Sequence, residues 1–383
     1  MKKGLRFLVC LVITGVMLTA SSFPVFAAAV SAKQQQLEDV ELIKSSGEFL
    51  EKLRKELARA STFIVLNVDK SVNGEKLLKD NEFAEISSMS ILMIKNTVRR
   101  NNKTVSEYIT FEIEPVYRDD IIILNAFKNP DLAGSLSNGE KETLNKAKSI
   151  LEKNITAEMT DYEKLTAIHD YLAKNSKYDM RVYTGGMPES SKKSEGILLY
   201  GNGVCSAYAS AMMLLLGMED IECIFVTGTG IDDGVSEAHA WNKVKIDGEW
   251  YNVDTTWDAP LNKTDGKVYH NYVYFCQTDD FFRKDHIWNE EAFPQKATAT
   301  KYNYYVYNNM LVSDYDSFKA AVAKAVKERE SESEINVLLY VKNYDSKKYE
   351  LDFIFDLHRD ISNISYSIID GSEGEMELII FFE

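Results

Sequence analysis

Gly201-Asn202-Gly203-Val204-Cys205-Ser206-Ala207-Tyr208-Ala209 decides how this chain is read. A Gly-Asn-Gly turn delivers Cys205 to the start of a run of strong helix formers, Ala207, Ala209, Ala211, Met212, Met213, Leu214 and Leu215. The thiol therefore sits at or near a helix N-terminus, where the macrodipole and unpaired N–H groups favour a thiolate. The backbone N–H of Cys205 is also a natural oxyanion donor. Gly203 has no side chain and would let a substrate approach closely.

Two downstream stretches complete the constellation, Ala238-His239-Ala240-Trp241-Asn242 and Trp250-Tyr251-Asn252-Val253-Asp254-Thr255-Thr256-Trp257-Asp258. His239 begins a strand over 238–246. Asp247-Gly248, a strong hairpin signal between alternating runs, turns it into a second strand over 250–255. With a two-residue turn at Asp247 and Gly248, paired residue numbers sum to 495, so His239 faces Thr256 and Asp254 faces Trp241. Asp254 is then a diagonal neighbour of His239 on the same sheet face, ~7–8 Å away along the backbone and within side-chain reach. A carboxylate there accepts an imidazole N–H, fixes the tautomer and supports the protonated ring. A one-residue slip would separate them.

Taken singly, a Cys, a strand His or an Asp is more often structural than catalytic. The helix-start position, the hairpin register and the chain order together favour a Cys205–His239–Asp254 triad. His169, on a helix over 162–174, reads as a packing or capping residue. His286, in Lys284-Asp285-His286, reads as bonding locally, and His270 and His358 show no partner pattern. Trp241, Trp250, Tyr251 and Trp257 could line an acyl groove, with about half packing inward and Trp241 nearer the site than Trp250. Asp258 either orders the loop beyond Asp254 or caps a turn. Neither Cys-x-x-Cys nor His-Glu-x-x-His occurs, so no metal site is expected.

The rest of the 383 residues sets the context. Hydrophobic content of 45% with 11% aromatics describes a globular chain of two or three domains. Lys2, Lys3 and Arg6 precede a short apolar stretch, and Val25-Phe26-Ala27 fits a cleavage site, which together describe a secretory signal peptide over 1–27. The stretch is short for a bilayer span, and retention as an anchor is the minority reading. Losing those three cations takes the formal charge from −15 to −18. So acidic a protein repels a phosphate backbone, which argues against nucleic-acid partners and against adhesion to anionic lipid. Beyond the signal peptide no membrane segment is apparent. Of the four cysteines, Cys205, Cys223 and Cys276 survive cleavage, and three thiols make no disulfide framework. Cys223 and Cys276 both read as strand-core residues, with a bridge between them as the alternative.

Three regions follow the signal peptide: an N-terminal α+β module over 33–135, a central domain over 136–300 and a C-terminal α+β module over 301–383. The first shows a helix over 34–60, a strand over 62–68, a helix over 75–88 and strands over 90–97 and 106–117. The last repeats this order with a helix over 316–328, strands over 335–341, 364–369 and 375–382, and a second helix over 347–359. Two related modules are one reading and two unrelated small α+β units the other. The centre opens with helices over 141–153 and 160–174, the second capped by Thr160-Asp161, followed by a polar, flexible loop over 177–195.

At these residues the chain resembles the secreted bacterial branch of the transglutaminase-like superfamily. Gly-x-Gly-Val-Cys-x-x-Tyr-Ala is similar to its nucleophile motif, His-Ala-Trp-Asn to its base motif and Trp-Tyr-x-Val-Asp-Thr-Thr-Trp-Asp to its acid motif. Ile168-His169-Asp170-Tyr171-Leu172 through Lys177-Tyr178-Asp179 resembles its leading helix, and Tyr274-Phe275 with Asp285-His286 its closing segment. The resemblance covers about 164–288. It implies Cys205 as nucleophile, His239 as base and Asp254 as orienting acid, in an α+β papain-like core of helices packed on an antiparallel sheet. Ser206 and Ala207 depart from the commoner Gln-Gly after the cysteine, which bears on the substrate pocket. Tyr200 or Asn202 is the candidate side-chain oxyanion donor, with Gly203 and Trp241 beside the substrate.

The expected function is a secreted or cell-envelope thiol enzyme acting on amide or peptide bonds through a Cys acyl-thioester. Peptidase or amidase chemistry is favoured, on an extracellular protein or cell-envelope peptide, with no cofactor. The alternatives are a catalytically silent surface-binding module or a cross-linking transglutaminase.

Overall fold

A computed structural model describes residues 41–80, 83, 86–100, 103–259, 271–328, 334–368 and 374–383. The expected signal peptide, His270 and the link between the strands expected over 364–369 and 375–382 fall outside them. The chain divides into two compact units, one ending at Asn125 and one spanning Ala126–Glu383. The second unit holds both the central and the C-terminal sheets, which the sequence reading had assigned to separate domains.

In the first unit, α1 (Ser46–Ala58), β1 (Ile64–Asp69), α2 (Gly74–Asp80), β2 (Ile86–Arg100) and β3 (Lys103–Tyr117) form an antiparallel sheet of order β1-β3-β2 with its helices. Ser45 caps α1 by accepting from the Glu48 N–H. Phe49, Leu53 and Leu57, one helical turn apart, bury against Ile64, Leu66, Val68 and Phe111. The second helix is shorter than its expected span over 75–88, because β2 takes the chain from Ile86. A further helix, α3, spans Asp119–Lys128.

The central region of the second unit opens with α4 (Asn138–Asn154) and α5 (Asp161–Asn175). Each begins with a complete capping box, Ser137 with Glu140 and Thr160 with Glu163. The expected flexible loop is instead organised. β4 (Lys177–Tyr178) pairs with β5 (Asn202–Gly203), and between them lie helical turns Arg181–Thr184 and Glu189–Lys192 and helix α6 (Ser194–Tyr200). Buried Asp179 ties this segment together by accepting from Arg181 at 2.8 Å and from the Ser191 hydroxyl at 2.6 Å.

Helix α7 (Cys205–Met218) is apolar nearly all round and is buried from Ala207 to Met212 and again from Leu214 to Met218. A helix of that pattern belongs inside a core. It lies against the sheet formed by β6 (Cys223–Asp232), β7 (Val235–Ile246), β8 (Glu249–Val253) and β9 (His286–Trp288), ordered β8-β7-β6-β9 and antiparallel throughout. The β7–β8 register pairs Asn242 with Val253 and Ile246 with Glu249, the pairing that Asp247-Gly248 implies. Both turn residues have positive φ, 52° and 86°, as the tight hairpin requires.

β7 begins at Val235, so His239 lies inside the strand rather than at its start. Cys223 is half-buried at the start of β6 and Cys276 is buried but outside any strand, with φ of 52°. Neither is therefore the strand-core cysteine expected, and both remain thiols.

The C-terminal part comprises β10 (Leu311–Val312), α8 (Tyr315–Lys327), β11 (Glu334–Val341), α9 (Phe353–Leu357), β12 (Ile361–Ile368) and β13 (Gly374–Phe382). Its sheet order is β10-β11-β13-β12, with Phe318, Val322 and Val326 of α8 in its core. As in the first unit, the last strand lies between the two before it and pairs antiparallel to both. The expected helix over 347–359 contracts to α9. Buried Glu375 of β13 accepts from the Tyr305 hydroxyl and, at 3.2 Å, from the Tyr272 N–H, joining this sheet to the central region.

Candidate active site

Cys205 is the first residue of α7 and is half-buried. Val204, the N-cap residue, supplies no side-chain cap, and its carbonyl accepts from Ala207 N at 2.8 Å and Tyr208 N at 3.2 Å. Asn242 Nδ2 donates to the Ala209 carbonyl at 3.0 Å and pins the second turn of α7 to β7. That bond sets the cysteine beside the strand that carries His239.

His239 Nε2 donates to Asp254 Oδ2 at 2.5 Å. Its remaining nitrogen, Nδ1, is not engaged by Asp254, and the Cys205 sulfur lies within electrostatic reach of the ring. Burial opposes charge on this ring, but the Asp254 carboxylate and the Cys205 sulfur more than offset it, pushing His239 up to about 10. The three side chains therefore meet in the order sulfur, imidazole, carboxylate.

β8 ends at Val253, one residue before Asp254, and Thr256 does not pair with His239 as an extended hairpin would have it. Asp254 instead caps the helical turn Thr255–Asp258, its Oδ1 accepting from Thr256 N at 2.9 Å and Trp257 N at 3.2 Å. One oxygen fixes the carboxylate to the backbone while the other serves the imidazoles. Burial raises its pKa, but His239 and His286 overcome that and hold Asp254 well below the usual carboxylate range.

His286 does more than bond locally. Its Nδ1 contacts Asp285 Oδ1 at 2.5 Å, and its Nε2 lies 3.2 Å from the same Asp254 Oδ2 that serves His239. No single stretch of sequence encodes this meeting, which depends on β9 joining the sheet beside β6. The Gly228-Thr229-Gly230 spacing in β6 was the available signal. A Cβ at Gly228 would lie 2.2 Å from the Ile287 carbonyl, and one at Gly230 would lie 2.9 Å from the Trp257 ring and 3.3 Å from His239. Both glycines make room for the groups around the imidazoles.

The donor atoms of His239, Asp254 and His286 lie within 4.8 Å of one another, a spacing that a metal ion could bridge. Here Nε2 of His239 and both ring nitrogens of His286 already face carboxylates, and these hydrogen bonds account for the cluster. His169 likewise exceeds a packing role. It is fully buried and bonds through Nε2 to Asp258 Oδ2 at 3.0 Å, while Asp258 Oδ1 accepts from the Tyr274 N–H. Burial pushes Asp258 up to about 6, with His169 partly offsetting it. Asp258 thus ties α5 to the segment that follows the acid.

The other expected site residues play different parts. Tyr200 is 63% exposed and its hydroxyl donates to Glu195 at 3.3 Å. The Asn202 amide, oriented so that both its ends find partners, donates to the Lys177 carbonyl at 3.0 Å and accepts from Arg181 at 3.3 Å. The polar atoms of both are engaged in these contacts rather than turned towards Cys205. Gly203 is needed for packing, since a Cβ there would meet Ala207 Cβ at 2.7 Å and Ile197 at 3.0 Å. Trp241 is 1% exposed and lies under His239 with ring centroids 6.1 Å apart, a floor rather than a substrate wall.

A cavity of about 820 Å³ opens on the His239 side. Trp257, 5.1 Å from His239 between ring centroids, lines it together with Tyr178, Tyr183 and Met180. Tyr178 and Tyr183 also lie near the Cys205 sulfur, which itself does not line the cavity. Asp232, Asp233, Glu237 and Asp285 contribute carboxylates to the wall, and among the described residues no Lys or Arg does. Tyr183 donates to Glu237 at 2.8 Å. Sequence reasoning missed Tyr178 and Tyr183 as lining residues because they come from the segment read as a mobile loop.

Residues 136–255 match the family model of the transglutaminase-like superfamily, a span that contains Cys205, His239 and Asp254. This part of the chain is a transglutaminase-like superfamily domain. The chain is also 27% identical over 139 residues to the kyphoscoliosis peptidases of Mus musculus and Homo sapiens, covering 33% of this chain and 21% of each relative. The match thus spans about a fifth of the relatives' length. A solved transglutaminase structure overlaps 52% of this chain and 53% of its own, at 13% identity and a TM-score of 0.29.

Proposed function

We propose that this protein is a thiol enzyme that cleaves amide or peptide bonds through an acyl-thioester on Cys205, acting outside the cell on an extracellular protein or cell-envelope peptide. The observation that carries the reading is the position of His239, bonded to Asp254 at 2.5 Å and within electrostatic reach of the Cys205 sulfur at the start of α7. The Cys205 sulfur, its proton passed to His239, attacks the carbonyl carbon, and the oxygen takes up negative charge facing the N-terminus of α7. The C–N bond breaks as His239 gives its proton to the leaving nitrogen. Water then adds to the thioester and yields a proton to His239. The C–S bond breaks, and the sulfur regains a proton as the acid departs. Asp254 keeps the imidazole aligned and stabilises its charge throughout.

The cavity wall supports a substrate class. Tyr178, Tyr183, Met180 and Trp257 suit an apolar or aromatic side chain, and the surrounding carboxylates favour a neighbouring positive charge. The substrate segment is accordingly a basic peptide with an apolar residue near the bond cut.

The experiment offers peptide libraries with and without a labelled primary amine, using Cys205→Ala as the control. Hydrolysis that vanishes in the control supports the reading. Release of ammonia with incorporation of the amine into protein would instead establish the cross-linking alternative. Absence of both, with substrate still bound, would favour a silent binding module.

A further inference from the structure

The triad leaves one buried histidine unexplained. His286 is 1% exposed and is enclosed by Trp257, Phe282 and Trp241, with ring centroids 4.3, 4.4 and 4.9 Å away. Each of its ring nitrogens faces a carboxylate, Nδ1 towards Asp285 at 2.5 Å and Nε2 towards Asp254 at 3.2 Å. A neutral imidazole has one N–H and one lone pair, so it would aim a lone pair at one of these carboxylates. Only the imidazolium satisfies both contacts.

We infer that His286 is a positioning residue of this centre, a buried imidazolium clamped between Asp285 and Asp254 that holds the Asp254 carboxylate and loosens the proton on His239. The inference rests on the thiol-enzyme reading above. Asp254 receives Thr256 N and Trp257 N on one oxygen and both imidazoles on the other, so its position is determined from two sides. A carboxylate paired with His239 alone would bind that proton tightly and slow its transfer to the leaving nitrogen. A second cation on the same oxygen draws off part of the attraction. Burial works against charge on His286, and Asp254 and Asp285 outweigh it, raising its pKa. Tyr274 donates to the outer oxygen of Asp285 at 2.7 Å and completes the chain of contacts.

The titratable groups around the pair are Asp254 beyond β8, His239 on β7, Cys205 on α7, Tyr274 before β9, Asp285 on the approach to β9, and Asp258, which lies within electrostatic reach of Asp254.

The test reads the pH at which His239 loses its proton, as the alkaline inflection in the rate of Cys205 alkylation by iodoacetamide. His286→Gln keeps a donor towards Asp254 but removes the charge. The inflection should move up by about one pH unit, a tenfold tighter proton on His239, and Asp285→Asn should move it the same way by less. Asp285→Glu should restore the wild-type value. An unchanged inflection in folded His286→Gln overturns the inference, since a merely structural histidine would leave it in place. Should His286→Gln fail to fold, imidazole nitrogen NMR of the wild-type protein decides. Two ring protons on His286 at pH 8 support the inference and one contradicts it. Failure of Cys205 to alkylate preferentially in the wild type would count against the thiol-enzyme reading instead.

Discussion

Asp254 Oδ2 lies 2.5 Å from His239 Nε2 while Oδ1 of the same carboxylate caps the turn that ends its own strand. One side chain therefore does two separable jobs, and substitution can divide them. Asp254→Asn keeps an oxygen for the cap but turns an N–H towards His239, favouring the wrong tautomer. Activity should fall by roughly 10³–10⁴-fold with a small change in melting temperature. Asp254→Ala should lose comparable activity and about 1 kcal/mol more stability through the lost cap. Parallel kinetics and thermal melts check this. Equal destabilisation by both variants would contradict the division.

The carboxylates beside the cavity carry a second prediction. Peptides with Lys or Arg next to the bond cut should be preferred over acidic ones, and added salt should weaken the preference. Glu237→Gln, which can still accept from Tyr183, should raise KM for a basic peptide about 2–5-fold and leave kcat nearly unchanged. Steady-state kinetics at two salt concentrations measure it.

Gly230 supports the site rather than the fold at large. A methyl there meets Trp257 at 2.9 Å and His239 Cβ at 3.3 Å, so Gly230→Ala should displace the imidazole by a fraction of an ångström. Activity should fall about 10–100-fold, since misplacement on that scale is costly in catalysis. Gly228→Ala, whose Cβ would meet a backbone carbonyl at 2.2 Å, should chiefly destabilise. Comparing activity loss with melting temperature for the two variants separates these outcomes.

Glu375 makes stability depend on pH. Burial raises its pKa from 4.5 to about 7, with the Tyr305 hydroxyl partly offsetting the effect. Below pH 4.5 both folded and unfolded states hold the proton. As pH rises from there through about 7, the unfolded state releases it first and folded stability is lost, by up to ~3 kcal/mol. Glu375→Gln has no charge to bury and keeps an acceptor for Tyr305. It should raise the melting temperature at pH 8 and change it little at pH 4.5, as calorimetry at the two pH values would show.

How much of this was legible follows from how local each feature is. The register of β7 and β8 is set by the Asp247-Gly248 turn between them, so the proximity of His239 and Asp254 could be worked out from residue numbers. The start of α7 at Cys205 is equally local, written in a turn followed by helix formers. His286 was not legible in the same way. It reaches Asp254 through a strand that joins the sheet next to β6, and the Gly228-Thr229-Gly230 spacing marks a close approach there without naming the partner. The segment between β4 and β5 read as flexible from its polar composition, yet the Asp179 contacts with Arg181 and Ser191 organise it. Trp241 was placed beside the substrate because of its nearness to His239 in sequence, whereas its position under the ring follows from how the sheet packs.

The most direct measurement is the site-resolved rate of iodoacetamide labelling at pH 7, followed by peptide mass spectrometry of wild-type protein and His239→Ala. An imidazole coupled to the sulfur should make Cys205 label at least about 100-fold faster than half-buried Cys223, with most of that advantage lost in His239→Ala. Similar rates at Cys205 and Cys223, or a Cys205 rate indifferent to the loss of His239, would contradict the account.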